Sequence, residues 1–388
     1  MTLDLRAHFA IFRDAGPGRI HLAAHSHHWW PDVACRAQAR PIADAARLVD
    51  NKWDAVFGEL IPHVQRGIAK ILALPDPGTI AFGPNTHDLI MRLFSALPHD
   101  RPVRVLTTHG EFHSFARQIA RLEEDGLVIA DRVATEPFAT FAERFAEMAA
   151  SGHDLVFVSH VFFNSGGTAG DLSALVDAVK NRDTLIVIDG YHGFMALPTD
   201  FSALARRAFY LAGGYKYAMA GEGACFMHCP PGYAPHPRDT GWFAAFGALT
   251  GTQRGVPYGT DGSRFLGATF DPSGLYRLAA VFDWVDEIGL TVPVIHAHVL
   301  GLQEQFLAGI PAIAALREAR LVTPVSPGTP RGHFLTFETT QAQAIHDRLA
   351  AANIITDVRG DRIRFGFGCY HAADEIAPAL AAITRALA

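Results

Sequence analysis

Hydrophobic positions along the chain fall into short, wholly apolar runs separated by longer stretches of helical period. Six runs read as strands: Ile80-Ala81-Phe82, Val103 to Thr107, Leu155 to Ser159, Thr184 to Ile188, Phe209 to Ala212 and Ala224 to Met227. An apolar run alone does not separate a buried strand from a helix segment; the short lengths and the bounding Gly, Asp and Asn decide it. Helical stretches at Phe141 to Ala150, Leu172 to Lys180 and Phe201 to Arg207 each precede a strand. This alternation predicts a largely parallel sheet covered by helices.

After about residue 272 the texture changes. Helices are predicted from Ser273 to Ile288 and Val292 to Ala308, a strand from His333 to Phe337, and a helix from Thr340 to Ala352. A hairpin turns on Gly360-Asp361, and a terminal helix starts at Ala372. The expected division is a large domain over 51–272 and a small α+β domain built from 1–50 and 273–388. The helical Ala34 to Leu48 segment has no sheet of its own and is assigned to the second.

In an open parallel sheet, ligands collect beyond the carboxyl ends of the strands. Asn85-Thr86, His160, Asp189 and Lys216 each follow a candidate strand and can share one rim. The run Thr184 to Ile188 delivers Asp189 at its tip, with His192 three residues on. The next leads through Gly213-Gly214 to Tyr215-Lys216-Tyr217. A carboxylate at one strand end and a lysine just past the next suit pyridoxal 5'-phosphate (PLP) chemistry. The amine forms a Schiff base, and the carboxylate keeps the pyridine nitrogen protonated so that the ring accepts electrons. Read singly, Lys216 could be a solvated lysine and Asp189 a helix cap. Asn85-Thr86 could be an N-cap without a ligand, or a phosphate site at a helix N-terminus.

Composition narrows the partners. The 388 residues are 49% hydrophobic and 19% charged with a net charge of -6, and no basic run occurs, which argues against nucleic acid and anionic membranes. No signal peptide or bilayer-length apolar stretch is evident. Four cysteines (Cys35, Cys225, Cys229, Cys369) fit a reduced, cytoplasmic setting, and Cys225 and Cys229 lack the second pair of a zinc site. His25-Ser26-His27-His28 carries no acidic residue and not the spacing of a helical zinc motif, so it reads as a polar pocket wall.

The ordered set Asp189-Gly190-Tyr191-His192, Tyr215-Lys216-Tyr217, Gly241-Trp242-Phe243, Arg264 to Thr269 and Arg359 to Tyr370 resembles the fold-type I PLP enzymes of the class V aminotransferase branch, and kynureninase most closely. The resemblance runs from about His21 to the C-terminus. It implies a PLP-transferase-like α/β domain with a mostly parallel seven-stranded sheet between helices. It also implies Lys216 as Schiff-base lysine and Cα base, counted catalytic together with Tyr215, and Asp189 on the pyridine nitrogen. His192 would approach the cofactor phenolic oxygen and Phe112 would stack on its ring. Asn85, Thr86 and Tyr215 would hold its phosphate, joined by Trp242 and Thr269 from the neighbouring subunit of a homodimer. Arg364 would clamp the carboxylate of a small amino-acid substrate, and His27 would line the substrate pocket. Neighbouring rings Phe365 and Phe367 bury one face of the Arg364 strand, so periodicity alone does not put Arg364 in the site.

Several positions depart from the kynureninase pattern: Phe115 for an acidic residue, Ala244-Ala245 for Gly-His, Gly368-Cys369-Tyr370 for Pro-Leu-Tyr, and Gly221-Glu222-Gly223 for a longer glycine-rich segment. The cofactor positions survive better than those that shape a substrate pocket. The activity implied is hydrolytic Cβ–Cγ cleavage. The alternatives are a class V aminotransferase, another PLP lyase, or a PLP-fold binding protein without turnover. A nicotinamide dehydrogenase lacks its glycine fingerprint here. A cysteine desulfurase needs a mobile cysteine before the C-terminal arginine, and none lies between Cys229 and Arg364.

Overall fold

The computed structural model describes residues 3–248 and 255–388. The chain passes through short helices and β1 (Ile20–His21) before it enters its main sheet. That sheet comprises β2 (Ile80–Gly83), β3 (Val103–Thr108), β4 (Val128–Val133), β5 (Leu155–Ser159), β6 (Leu185–Asp189), β7 (Phe209–Gly213) and β8 (Cys225–His228), in the order β2-β8-β7-β6-β5-β3-β4. Only β8 runs antiparallel to its neighbours.

The central strands are apolar throughout because both faces are covered. Val187 and Leu211 join one core layer, while Ile186, Ile188 and Tyr210 join the other. All six apolar runs are strands, with ends shifted by one residue at most. The seventh, β4, escapes a search for apolar runs because it lies at the sheet edge. Its interior is partly or fully exposed and carries Asp131 and Arg132.

Two predicted helices differ. Phe201 to Arg207 folds as consecutive turns, with Leu204 N bonded to Phe201 O and Arg207 N to Leu204 O, since too few residues separate Asp200 from β7 for a regular helix. Ala34 to Leu48 breaks into helices Asp32–Ala37 and Arg40–Leu48. Pro41 offers no N–H there, and its ring opposes the carbonyl four residues earlier.

Beyond the main sheet, helices Ser273–Glu287 and Val292–Gly309 lead to β9 (Arg320–Leu321), β10 (Phe334–Glu338), β11 (Ile354–Ile355), β12 (Asp357–Arg359) and β13 (Arg362–Gly366). Four of these form an antiparallel sheet, β12-β13-β10-β9. The β12–β13 hairpin turns on Gly360 at φ 59, a backbone region that glycine enters without penalty. The N-terminal segment joins this part of the molecule. β1 pairs in parallel with β11, and Gly366 N donates to Leu22 O at 2.7 Å. Residues 22–26 are thereby held against the open end of the main sheet. Among the described residues, no helix is long and apolar enough to cross a membrane.

Candidate active site

A cavity of about 410 Å³ opens at the carboxyl ends of the main strands, where β13 and the N-terminal segment close over them. The β6 strand ends on Asp189 and its neighbour β5 ends on Ser159, the two residues being register partners. Asp189 Oδ1 accepts a hydrogen bond from Tyr191 N at 2.9 Å. The chain turns directly after Asp189 because Gly190 lies against the Tyr210 ring, where a Cβ would collide. Lys216 stands three residues beyond β7, its Nζ 2.6 Å from His192 Nε2. Phe112 is half exposed and holds its ring 5.4 Å from the same amine.

Electrostatics at this end are set by burial. The Lys216 amine is pulled well below the usual lysine range, chiefly by burial, next by Arg364, and against the attraction of Asp189. Burial pushes the Asp189 carboxyl upward, opposed by the Tyr191 hydrogen bond and by Lys216. His192 is driven strongly downward by burial and then by Lys216, so its ring is neutral. A neutral imidazole can partner the Lys216 amine in either of its protonation states.

Two helix N-termini converge on another wall. Asn85 caps the helix Thr86–Phe94, its side chain accepting from Asp88 N at 2.8 Å. Ser114 lies in the first turn of the helix His113–Glu124. Asn85, Thr86, His87, Ser114 and Tyr215 all line the cavity here, without any acidic side chain. Backbone N–H groups, hydroxyls and two helix dipoles suit a phosphate. Asn85 is thus an N-cap in fact, and that role leaves room for the anion-site reading of Asn85-Thr86.

The remaining wall comes from distant segments. Arg364, on β13, is buried, and its guanidinium donates to Phe163 O and to Asp357 Oδ2. The rings of Phe365 and Phe367 pack on Phe306 on the other side of the strand, so Arg364 faces the cavity. Arg359 also lines it and pairs with Asp357 Oδ1 at 2.9 Å. His25 is fully buried, stacked on Phe334 at 4.6 Å, and its Nε2 lies 3.4 Å from Asp357 Oδ2.

The sequence-predicted residues Asn85, Thr86, Phe112, Asp189, His192, Tyr215, Lys216 and Arg364 thus share one cavity. Four do not line it. His27 turns its ring edge-on to Tyr215 at 5.4 Å, and His25 and Ser26 take the wall instead, because the backbone bond from His27 N to Ala23 O coils this segment into a turn. Trp242 is 42% exposed and Thr269 is exposed, both outside the cavity of a single chain. His160 is buried against Gly193, just off the rim.

Glu111 was not singled out from the sequence. Buried next to Phe112, its carboxyl accepts from Thr108 Oγ1 and Ser159 Oγ, each at 2.6 Å, and burial pushes it up to about 7. Its adjacency to Phe112 was the one available signal. Phe115, where the resemblance expected an acid, stacks on Phe157 in the core at 3.7 Å.

Comparison with known proteins bears on both halves of the molecule. A profile described as the kynureninase C-terminal domain matches residues 295–383. A probable cysteine desulfurase from Vibrio cholerae serotype O1 is 27% identical over 246 residues, 60% of this chain and 58% of that protein. The chain therefore covers less than two thirds of that relative's length. Among solved structures, the apo cysteine desulfurase from Thermococcus onnurineus NA1 superposes with a TM-score of 0.78 at 16% identity, over 100% of this chain and 98% of that one. The cystine C–S lyase C-DES, in complex with its reaction product cysteine persulfide, gives 0.77 at 18%, over 95% and 98%.

These likenesses establish the fold. The chain has the α/β PLP-transferase fold, with a mostly parallel seven-stranded sheet between helices, as in the cysteine desulfurase structure it superposes on. The finer resemblance to kynureninase is not confirmed: the profile matches residues 295–383 alone, and the solved structures named are a desulfurase and a C–S lyase.

Proposed function

We propose that this chain is a PLP-dependent enzyme that removes the Cα proton of an amino acid and cleaves a bond at its β carbon. The observation that carries the reading is the buried Lys216 amine, set against neutral His192 in a cavity it shares with Asp189 and Arg364. The residues fit the cofactor. Among the described residues, Asp189 is the only acidic side chain lining the cavity, residues of two helix N-termini line it as well, and Phe112 offers a ring face beside the lysine. When bound, PLP supplies a ring that accepts the electron pair left at Cα.

The chain's own groups do the rest. Asp189 would hold a proton at the ring nitrogen. Asn85, Thr86, Ser114 and Tyr215 would anchor the phosphate, and Phe112 would pack on the ring. Arg364 takes the substrate carboxylate and so orients the Cα–H bond toward Lys216. Burial lowers the Lys216 amine to about 7, so a large share of it is neutral near pH 7 and able to accept that proton. His192, at 2.6 Å, holds the amine in place as it takes up and returns the proton. Exposed Trp242 and Thr269 are assigned to the cavity of a second copy in a homodimer.

Two reactions fall within this class. Hydrolytic Cβ–Cγ cleavage, as in kynureninase, is favoured by the profile match over residues 295–383, the stretch that contains Arg359 and Arg364. Cβ–S cleavage is favoured by the desulfurase and C–S lyase relatives. Sulfur transfer to a thiol of this chain is disfavoured. None of the described residues lining the cavity is a cysteine, and burial pushes the Cys225, Cys229 and Cys369 thiols up to about 12, far from the thiolate that attacks.

The test is to follow the visible spectrum of the PLP-loaded protein with L-kynurenine, L-cysteine and L-cystine, assaying anthranilate, sulfide and persulfide in the same cuvette. Anthranilate selects Cβ–Cγ cleavage; sulfide or persulfide selects Cβ–S cleavage. Spectral change with amino-group transfer and no cleavage of any substrate overturns the proposal in favour of an aminotransferase.

A further inference from the structure

The substrate-facing wall holds two guanidinium groups and a single carboxylate between them. Arg359 and Arg364 both line the cavity, and both pair with Asp357, one on each carboxylate oxygen. Asp357 is buried and does not itself line the cavity. His25, in the same cluster, is driven strongly downward by burial and then by Arg364, so it adds no charge. Two positive charges against one negative leave one positive charge facing the substrate.

Donor geometry agrees with that charge count. Arg364 spends one donor on Phe163 O and one on Asp357, while its buried Nε has no partner. Arg359 spends Nη1 on Asp357 and Val358 O. The His25 ring nitrogens are buried and likewise unpartnered, since the 3.4 Å approach to Asp357 is poorly aligned for a hydrogen bond. An unpaired buried donor is costly to leave unmade, so these atoms mark where a ligand completes the site.

We propose that Asp357 is a specificity-determining residue, which neutralises one of two arginines and tunes the substrate wall to an amino acid with one carboxylate and an uncharged side chain. An acidic side chain would bring a second negative charge to a wall with only one positive charge left to meet it. Arg364 is buried, and around it such a mismatch is weakly screened. The inference rests on the PLP-enzyme reading and specifies its substrate class.

The test uses unreactive acids and a binding readout. Propionate and succinate are titrated into the PLP-loaded protein, with dissociation constants read from the shift of the visible band and from thermal stabilisation. In the unmodified protein, propionate binds at least as tightly as succinate. Asp357→Asn keeps the shape and removes the charge, and it improves succinate relative to propionate by about tenfold or more. Arg359→Gln, at a side chain 44% exposed, weakens succinate more than propionate and serves if the first variant does not fold.

A propionate-to-succinate ratio unchanged within about twofold in both variants overturns the inference, as does Asp357→Asn weakening both acids equally, which would make Asp357 a scaffold for Arg364. A protein that takes up PLP but shows either result loses this inference alone. One that takes up no PLP loses the functional reading and this inference with it.

Discussion

The two ends of the cavity are built in different ways. At the cofactor end, Asp189 and Lys216 follow adjacent parallel strands, and Phe112, Asn85 and Thr86 follow two more strands of the same sheet. At the substrate end, His25 comes from the N-terminal segment and Arg359 and Arg364 from a separate sheet, more than 330 residues along the chain. The first end is a consequence of strand topology, since every parallel strand ends on the same rim. The second is an assembly of distant pieces held by β1–β11 pairing and by the Asp357 ion pairs. Under the proposed function, chemistry concentrates at the first end and selectivity at the second.

The sharpest break of this contrast is Lys216→Ala. It should lower turnover by at least about a thousandfold while leaving the fold intact, checked by steady-state kinetics and circular dichroism. Asp189→Asn should follow, with a loss of roughly a hundredfold in kcat and little change in KM, because it acts on charge that develops during the reaction. Arg364→Lys belongs to the other end. It should raise KM roughly 10- to 100-fold while the visible band of the loaded protein stays unchanged, since a lysine cannot reproduce the guanidinium fork. A band altered as much as by Asp189→Asn would erase the distinction between the ends.

What was legible in the sequence follows the same division. An apolar run ending on Asp189, and another leading through two glycines to Lys216, are local signals, and so each strand was found to within a residue. The β4 strand was missed because an edge strand needs no apolar run. At the substrate end, period two gave the buried face of β13 from Phe365 and Phe367, but it could not say what covers the opposite face. The His25–His28 cluster announced a polar wall, yet a single turn at Ala23 decides that His25 and not His27 reaches it. Glu111 offered nothing beyond its place beside Phe112, for its role depends on Ser159, 48 residues away and brought close only by the β3–β5 pairing.

The seam between the N-terminal segment and the C-terminal part should also be acid-sensitive. Burial depresses His28 to about 3, and His21, His25 and His333 well below their ordinary 6.5, all of them where the N-terminal segment meets the C-terminal part. In the unfolded chain each regains its ordinary value and binds a proton below it. Stability is therefore kept above about pH 6.5 and lost as pH falls from there toward the folded values, each such histidine contributing up to about 1.4 kcal/mol per pH unit. Glu111 works in the opposite sense. Its folded value is raised from 4.5 to about 7, so its contribution weakens as pH rises between them, and Glu111→Gln should flatten that side of the profile. Urea titrations between pH 4 and 8 would read both slopes.

The smallest expected effect compares neighbours. His27→Ala should leave KM within about twofold, whereas His25→Ala should raise it several-fold through loss of the packing on Phe334 beside Arg364. Equal effects would mean that the segment acts as a unit and that the identity of the cavity-lining histidine does not matter.

The most direct measurement of the central claim is borohydride reduction of the protein after incubation with PLP, followed by peptide mapping. The account predicts one cofactor fixed per chain, on the peptide that carries Lys216, and none in Lys216→Ala. Label on another lysine, or no stable label at all, would contradict it.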